Sequence, residues 1–119
     1  MTWSQGDSHM KITVREMKRA DLLEVEGRVD SSTVSELDEA LNERIDQGTV
    51  NLVVDLSKVD YMSSAGLRAL VSALKRVKND GGDLRLCAPS ERVREVLELA
   101  GLDSIFEIYE DQVTAVGSF

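Results

Sequence analysis

Residues 50–88 read VNLVVDLSKVDYMSSAGLRALVSALKRVKNDGGDLRLCA, and this stretch decides the fold. Its first seven residues, 50–56, are a short apolar run that is typical of a strand buried on both faces of a parallel sheet. A loop follows, and then apolar residues recur on one face of a helix, at Leu67, Leu70, Val71, Leu74 and Val77. Two turn formers and two glycines at 79–82 end that helix, and residues 83–88 form the next strand. A strand, a helix and a strand in this order predict a parallel pair joined by a right-handed crossover.

The sequence before this unit predicts a β-hairpin and a helix. Residues 11–17 and 21–27 alternate apolar and polar side chains, and the short link at 18–21 makes them a hairpin. A polar cluster at 31–33 then begins a helix, in which Thr33 and Glu36 fit a capping box, although Ser31 or Ser32 could cap instead. The helix ends at Gly48, and its buried face is predicted to carry Val34, Leu37, Leu41 and Ile45.

The sequence after this unit predicts a third helix, a short strand and a last helical piece. The third helix opens at Pro89-Ser90-Glu91 and ends before Gly101, a natural residue for a helix C-terminus. Residues 104–109 read as a strand and residues 110–119 as a final helical segment. The whole pattern predicts one α/β domain over residues 10–119. Its mixed, mostly parallel sheet has four or five strands, opens with an antiparallel hairpin and carries three or four helices.

The charge balance narrows the classes of partner. The chain of 119 residues has 14 Lys and Arg against 22 Asp and Glu, a net charge of −8. Nucleic-acid binding requires clustered cations that release phosphate counterions, and an anionic membrane surface repels an acidic protein. We therefore expect neither a nucleic acid nor a membrane as partner, and a basic protein surface is favoured.

The inventory of reactive residues predicts a protein that is not an enzyme and has no cofactor or metal. No glycine-rich phosphate loop follows any predicted strand. The single histidine, His9, lies outside the predicted domain, and the single cysteine, Cys87, has no second thiol for a disulfide or a zinc site. Residues 1–9 lack the pattern of a signal peptide and are expected to be a tag or a disordered N-terminus. The default compartment is the cytoplasm.

The loop after the central strand, residues 55–67, is the candidate binding region, because sites in open α/β sheets collect beyond the carboxyl ends of strands. Ser63 is placed to cap the following helix. Gly66 in the first turn costs about 1 kcal/mol relative to alanine, which indicates a close approach by this chain or by a partner. Asp30 and Asp60 could stabilise turns or belong to an interface with a partner. Tyr61 could pack in the core or contact the partner.

Four segments together resemble the STAS-domain anti-sigma factor antagonists, over residues 11 to about 117. The run DLSKVDYMSSAGLRAL at 55–70 is similar to the signature of that family, and GRVD at 27–30 is similar to its Gly-x-x-Asp. DGGDL at 80–84 and LELAGLDSIFEIY at 97–109 match its later pattern. The resemblance implies a STAS fold.

The resemblance also implies a binding switch. Unmodified members bind an anti-sigma factor that is a serine kinase, and the sigma factor is released. The kinase then phosphorylates a serine at the helix entry, and a PP2C-type phosphatase reverses the modification. The acceptor position falls on Ser64, with Ser63 as a minor alternative. The expected partner-binding residues are listed together: Asp30, Asp60, Tyr61, Ser63, Ser64 and Gly66.

Two further functions stay open at the level of sequence. The domain could be a STAS scaffold or adaptor in a signalling or lipid-transport complex that is never phosphorylated. It could also be a small-molecule or nucleotide-binding domain that uses the same loops. Its oligomeric state is expected to be a monomer or a weak dimer.

Overall fold

The computed structural model describes residues 10–119, and the predicted tag at residues 1–9 lies outside them. Residues 10–119 form five strands, four α-helices and one turn of 3₁₀ helix at Leu102–Ser104. In chain order the elements are β1 (Met10–Glu16), β2 (Asp21–Val29), α1 (Val34–Asp46), β3 (Asn51–Met62), α2 (Ser64–Asn79), β4 (Asp83–Cys87), α3 (Glu91–Leu99), β5 (Ile108–Tyr109) and α4 (Gln112–Gly117).

The five strands form one mixed sheet in the order β1-β2-β3-β4-β5. β1 pairs antiparallel with β2, from Met10 opposite Gly27 to Glu16 opposite Asp21, which confirms the predicted hairpin. The other neighbours, β2 with β3, β3 with β4 and β4 with β5, pair in parallel. The predicted α/β class and the mostly parallel sheet are therefore confirmed.

The two faces of the sheet are covered unequally. The larger core lies under α1, α2 and α3, where helix residues such as Leu41, Leu70 and Leu97 pack on strand residues such as Leu23 and Val54. The opposite face has a smaller cluster, in which α4 contributes one buried side chain. Its buried members are Ala20, Leu22, Val53, Cys87 and Ala115. β3 supplies Val53 to one face and Val54 to the other, so the prediction of a strand buried on both faces is confirmed.

The central strand is longer than the sequence predicts. Residues 57–62 were expected to be a loop, but β3 continues to Met62. The reason is that β2 also continues, with Arg28 opposite Tyr61 and Val29 opposite Met62, after two register shifts in the pairing. The irregular register breaks the alternation that a pattern search depends on. This extension brings the carboxyl ends of β2 and β3 to the same point.

Two local predictions at helix and strand ends were wrong. Thr33 stands at the N-terminus of α1 but makes no side-chain cap there, because its hydroxyl donates to the Arg28 carbonyl at 2.9 Å. The capping box is therefore absent, and neither Ser31 nor Ser32 stands at the cap position. The strand predicted at 104–109 is reduced to Ile108–Tyr109, since a 3₁₀ turn occupies its first residue. The final helical segment is present as α4, and Gly101 has the expected left-handed backbone, with φ of +73°.

Candidate site at the entry to the second helix

The candidate site lies where β2 and β3 end and α2 begins. The Ser63 backbone N–H donates to the Val29 carbonyl at 2.8 Å, which joins the turn before α2 to the end of β2. The Leu67 N–H in turn donates to the Ser63 carbonyl at 3.0 Å, inside the first turn of the helix. One backbone hydrogen bond thus joins the helix entry to the sheet, and the other closes the first turn of the helix.

Ser63 and Ser64 have different environments. Ser63 is half-buried and occupies the N-cap position, and its hydroxyl oxygen accepts a hydrogen bond from the Gly66 N–H at 3.3 Å. The prediction that Ser63 caps the helix is confirmed. Ser64 is the first residue of α2 and is exposed, and its hydroxyl makes no hydrogen bond within residues 10–119. Of the two hydroxyls, that of Ser64 is open to solvent and uncommitted.

Gly66 is buried, and the close approach that its position indicates comes from this chain. A Cβ placed on Gly66 would collide with the sulfur of Met62, and it would lie 2.7 Å from Cγ1 of Val29. Both of those side chains are buried, with 2% and 0% of their surface exposed. The missing side chain lets the first turn of α2 rest directly on the ends of β2 and β3.

Asp30 organises the turn between β2 and α1. Its carboxylate accepts hydrogen bonds from the Ser32 hydroxyl at 2.6 Å, from the Ser32 N–H at 2.9 Å and from the Thr33 N–H at 3.2 Å. These bonds, the Ser32 hydroxyl first, hold the pKa of Asp30 below its ordinary value of 3.8. Asp30 therefore stabilises the turn between β2 and α1, and its half-buried side chain also borders the site.

Tyr61 is exposed and does not pack in the core, and Asp60 beside it is also exposed. The Arg28 guanidinium stacks over the Tyr61 ring, 4.6 Å from its centroid, and its Nε lies 3.6 Å from the Asp30 carboxylate. Arg28 thereby links the two segments that border the helix entry. The sequence pattern does not indicate Arg28, because its position opposite Tyr61 depends on the register shifts between β2 and β3.

A second cation was also passed over. Arg68 is exposed on α2, four residues after Ser64. Residues four apart lie above one another on a helix surface, so Arg68 and Ser64 share a face. The spacing of four residues from Ser64 could have indicated the position of Arg68 from the sequence.

The reactive groups of the described residues do not assemble a nucleophilic centre. Burial raises the pKa of Cys87 to about 12, with a further contribution from the carboxylate of Asp55, so the thiol is protonated at neutral pH. Within residues 10–119, no group of three His, Cys, Asp or Glu side chains is arranged to hold a metal ion. None of the helices in this range has the length and apolar character needed to cross a membrane.

Fold and site together define an α/β domain with a five-stranded mixed sheet and an exposed serine at the start of its second helix. The model of the STAS domain matches residues 11–115. The chain belongs to the STAS-domain family of anti-sigma factor antagonists.

Named relatives span nearly the whole chain. BtrV of Bordetella bronchiseptica is 34% identical over 110 residues, which are 92% of this chain and 95% of BtrV. The anti-sigma-B factor antagonist of Staphylococcus epidermidis is 31% identical over 103 residues, 85% of this chain and 95% of that protein. The crystal structure of an anti-sigma factor antagonist from Mycobacterium paratuberculosis superposes with a TM-score of 0.85 at 26% identity, over 98% of this chain and 97% of that one.

The fold is also shared with Bacillus SpoIIAA in its phosphorylated form. That structure has a TM-score of 0.73 at 17% identity and covers 91% of this chain and 98% of SpoIIAA. At this identity the likeness concerns the fold alone. The family is a regulatory one and not a family of enzymes.

Proposed function

We propose that this protein is an anti-sigma factor antagonist whose partner is a serine-kinase anti-sigma factor, and that phosphorylation of Ser64 switches it off. In the unmodified form it binds the kinase, and the sigma factor is released. The observation that carries the proposal is the exposed, uncommitted hydroxyl of Ser64 at the entry to α2. Ser63 is the minor alternative acceptor, because its hydroxyl oxygen is already used to cap the helix.

The surface around Ser64 is the proposed contact with the kinase. Asp60 and Tyr61 are exposed beside it, and the Asp30 carboxylate is fixed nearby by its turn. Ser63 contributes through its half-buried side chain, and Gly66 through the position it gives to the first turn of the helix. The carboxylates of Asp30 and Asp60 suit cationic groups on the partner.

The fold is expected to tolerate a phosphate on Ser64. A phosphate there would sit at the N-terminus of a 16-residue helix. Backbone N–H groups and the helix dipole favour an anion at that end by about 0.3–1 kcal/mol. Arg68, one turn further along, adds a cation on the same face. SpoIIAA retains this fold in its phosphorylated form, which is in keeping with the expectation.

The contact with the kinase is expected to respond differently. A phosphate adds about −1.5 to −2 charges to a surface that already carries Asp30 and Asp60, in a chain whose net charge is −8. Repulsion and desolvation within the interface then weaken binding. A change of about 1–3 kcal/mol shifts the affinity by roughly 5- to 150-fold, which is enough for a switch.

The proposed cycle also includes a phosphatase that acts on Ser64 and a compartment in which the cycle takes place. A PP2C-type serine phosphatase removes the phosphate and restores binding. We place the cycle in the cytoplasm, where a kinase finds ATP. The antagonist itself supplies no catalytic group and acts as the substrate and the ligand of these two enzymes.

The proposal is tested by incubating the protein with its cognate kinase and ATP, and by mapping the modification with mass spectrometry. We expect one phosphate on the wild type, and none on Ser64→Ala. Ser72→Ala is the matched control, because Ser72 is an exposed serine further along the same helix. Absence of phosphate on the wild type, or full labelling of Ser64→Ala, would contradict the switch. The first of these results would favour an unphosphorylated scaffold role.

A further inference from the structure

A second surface lies at the opposite end of the sheet from Ser64. It is a groove of about 520 Å³ between the β1–β2 hairpin and α4. The Asn51 amide, at the start of β3, donates to the Arg19 carbonyl of the hairpin, whereas Ser64 follows the end of the same strand. The wall of the groove at Gln112 reaches the middle of β3, because the Gln112 amide donates to the Asp55 carboxylate. From Asp55 to Met62 the strand spans roughly 23 Å. A partner seated at Ser64 therefore leaves the groove accessible.

The walls of the groove are held in place. The Arg19 guanidinium donates to the carbonyls of Gly117 and Phe119, at 3.2 and 3.3 Å, and so joins the hairpin to the end of α4. The Met17 N–H donates to the Ala20 carbonyl at 3.1 Å and closes the hairpin turn. A groove that is already formed requires little ordering when a ligand enters, which favours binding.

The groove combines apolar side chains with cations. Val113 is 83% exposed and Met17 is 39% exposed, and both line the groove beside the half-buried Val116. Together these side chains form one small apolar patch on the floor of the groove.

The charge of the groove is opposite to that of the chain. Among the described residues that line it, Arg15, Lys18 and Arg19 are cationic and none is acidic. Two carboxylates border the groove: that of Glu24 lies 3.5 Å from the Arg15 guanidinium, and those of Glu24 and Asp55 accept hydrogen bonds from the Gln112 amide. The chain has 14 Lys and Arg against 22 Asp and Glu. Three of these 14 cationic residues line one apolar groove.

We propose that this groove is a docking surface for an acidic amphipathic segment of a second protein. The aliphatic or aromatic side chains of that segment lie against Met17, Val113 and Val116, and its carboxylates face Arg15 and Lys18. Cations around an apolar floor are complementary in charge and in polarity to such a segment. This site is separate from the kinase contact and makes the domain a bivalent adaptor.

The test is fluorescence polarisation with a labelled synthetic peptide that forms an amphipathic helix, with leucines on one face and glutamates on the other. A second peptide with lysines in place of the glutamates is the charge control. We expect saturable binding of the acidic peptide to the full chain, and binding at least about fivefold weaker for Lys18→Glu and for Val113→Ser. Both side chains are exposed, so the variants should fold.

The matched control variants are Lys75→Glu and Leu99→Ser. Lys75 is an exposed cation of α2, and Leu99 is 84% exposed on α3, almost the same as Val113. Neither should change the affinity. The proposal is overturned if the acidic peptide does not bind, if the lysine peptide binds equally well, or if the control variants weaken binding as much. It is also overturned if the acidic peptide does not bind but the groove variants abolish self-association or binding to phosphatidylglycerol vesicles. In that case the groove would hold a second copy of the chain or a lipid surface.

Discussion

Replacing Gly66 by alanine tests how the helix entry is held against the sheet. An alanine in a helix is ordinarily more favourable than a glycine by about 1 kcal/mol, so helix propensity alone predicts stabilisation. The structure predicts the opposite. The new Cβ would collide with the Met62 sulfur and approach Cγ1 of Val29 to 2.7 Å, and both of those side chains are buried.

The magnitude follows from the two opposing contributions. Overpacking a buried contact of this kind costs about 1–3 kcal/mol, because β-branched Val29 cannot rotate away and Met62 must change rotamer. With about 2 kcal/mol lost to packing and about 1 kcal/mol gained from propensity, the net loss in the free energy of unfolding is about 1 kcal/mol. For a domain of this size such a loss lowers Tm by about 4 °C.

The assay is urea unfolding of the wild type, Gly66→Ala, Val29→Ala and the double variant. In the Val29→Ala background, the Gly66→Ala substitution should cost less, which gives a favourable coupling energy between the two sites. Gly117→Ala is the matched control, since a Cβ there meets nothing within 4 Å, and its stability should be unchanged or slightly raised. The reasoning is refuted if Gly66→Ala is as stable as the wild type and shows no coupling to Val29→Ala.

Three further predictions concern single groups. Ser63→Ala should lower the free energy of unfolding by about 1 kcal/mol through loss of the helix cap, whereas Ser64→Ala should change it little. Chemical unfolding of both variants measures the two losses. Equal losses would contradict the assignment of Ser63 as the cap. The pKa of Asp30 is below 3.8 in the folded state, so its carboxylate contributes stability above that pH and loses the contribution as pH falls through the lowered pKa. Unfolding measured across acidic pH should therefore show a steeper decline for the wild type than for Asp30→Asn, and identical slopes would count against the turn. Cys87, with its pKa raised to about 12, should not react with a thiol reagent at about pH 8 until the protein is denatured, and rapid labelling of the native protein would show that the thiol is accessible.

The sequence predicted the regular parts of the fold because those parts follow simple periods. The run at 50–56 has the composition of a strand buried on both faces, and Val53 and Val54 do lie in opposite clusters. The apolar face of α2 follows the helical period, and the glycine pair ends the helix as expected. Local pattern and tertiary structure agree in these segments.

The errors came where tertiary contacts override the local pattern. Residues 57–62 have no regular alternation, yet they extend β3, because the end of β2 provides a partner strand. Thr33 and Glu36 fit a capping box, but the Thr33 hydroxyl is taken by the Arg28 carbonyl, three residues before the cluster that begins the helix. The spacing of residues in the sequence predicts neither the pairing with the end of β2 nor the hydrogen bond to the Arg28 carbonyl.

The candidate site was predicted in its chain positions but not in its contacts. Ser63 as a cap could be foreseen, because it depends on residues three apart in the chain. The stacking of Arg28 on Tyr61 could not, since it depends on the shifted register between β2 and β3. The roles proposed for Ser64 and its neighbours remain predictions that binding experiments decide.

The most direct test of the account is the affinity of the cognate kinase for the unmodified protein and for the same protein phosphorylated on Ser64, measured by isothermal titration calorimetry. Thermal unfolding of both forms is recorded alongside. We predict that the affinity falls by roughly 5- to 150-fold while Tm changes little, because the phosphate acts at the interface and not on the fold. Equal affinities for the two forms, or a loss of affinity that is matched by unfolding of the domain, would contradict it.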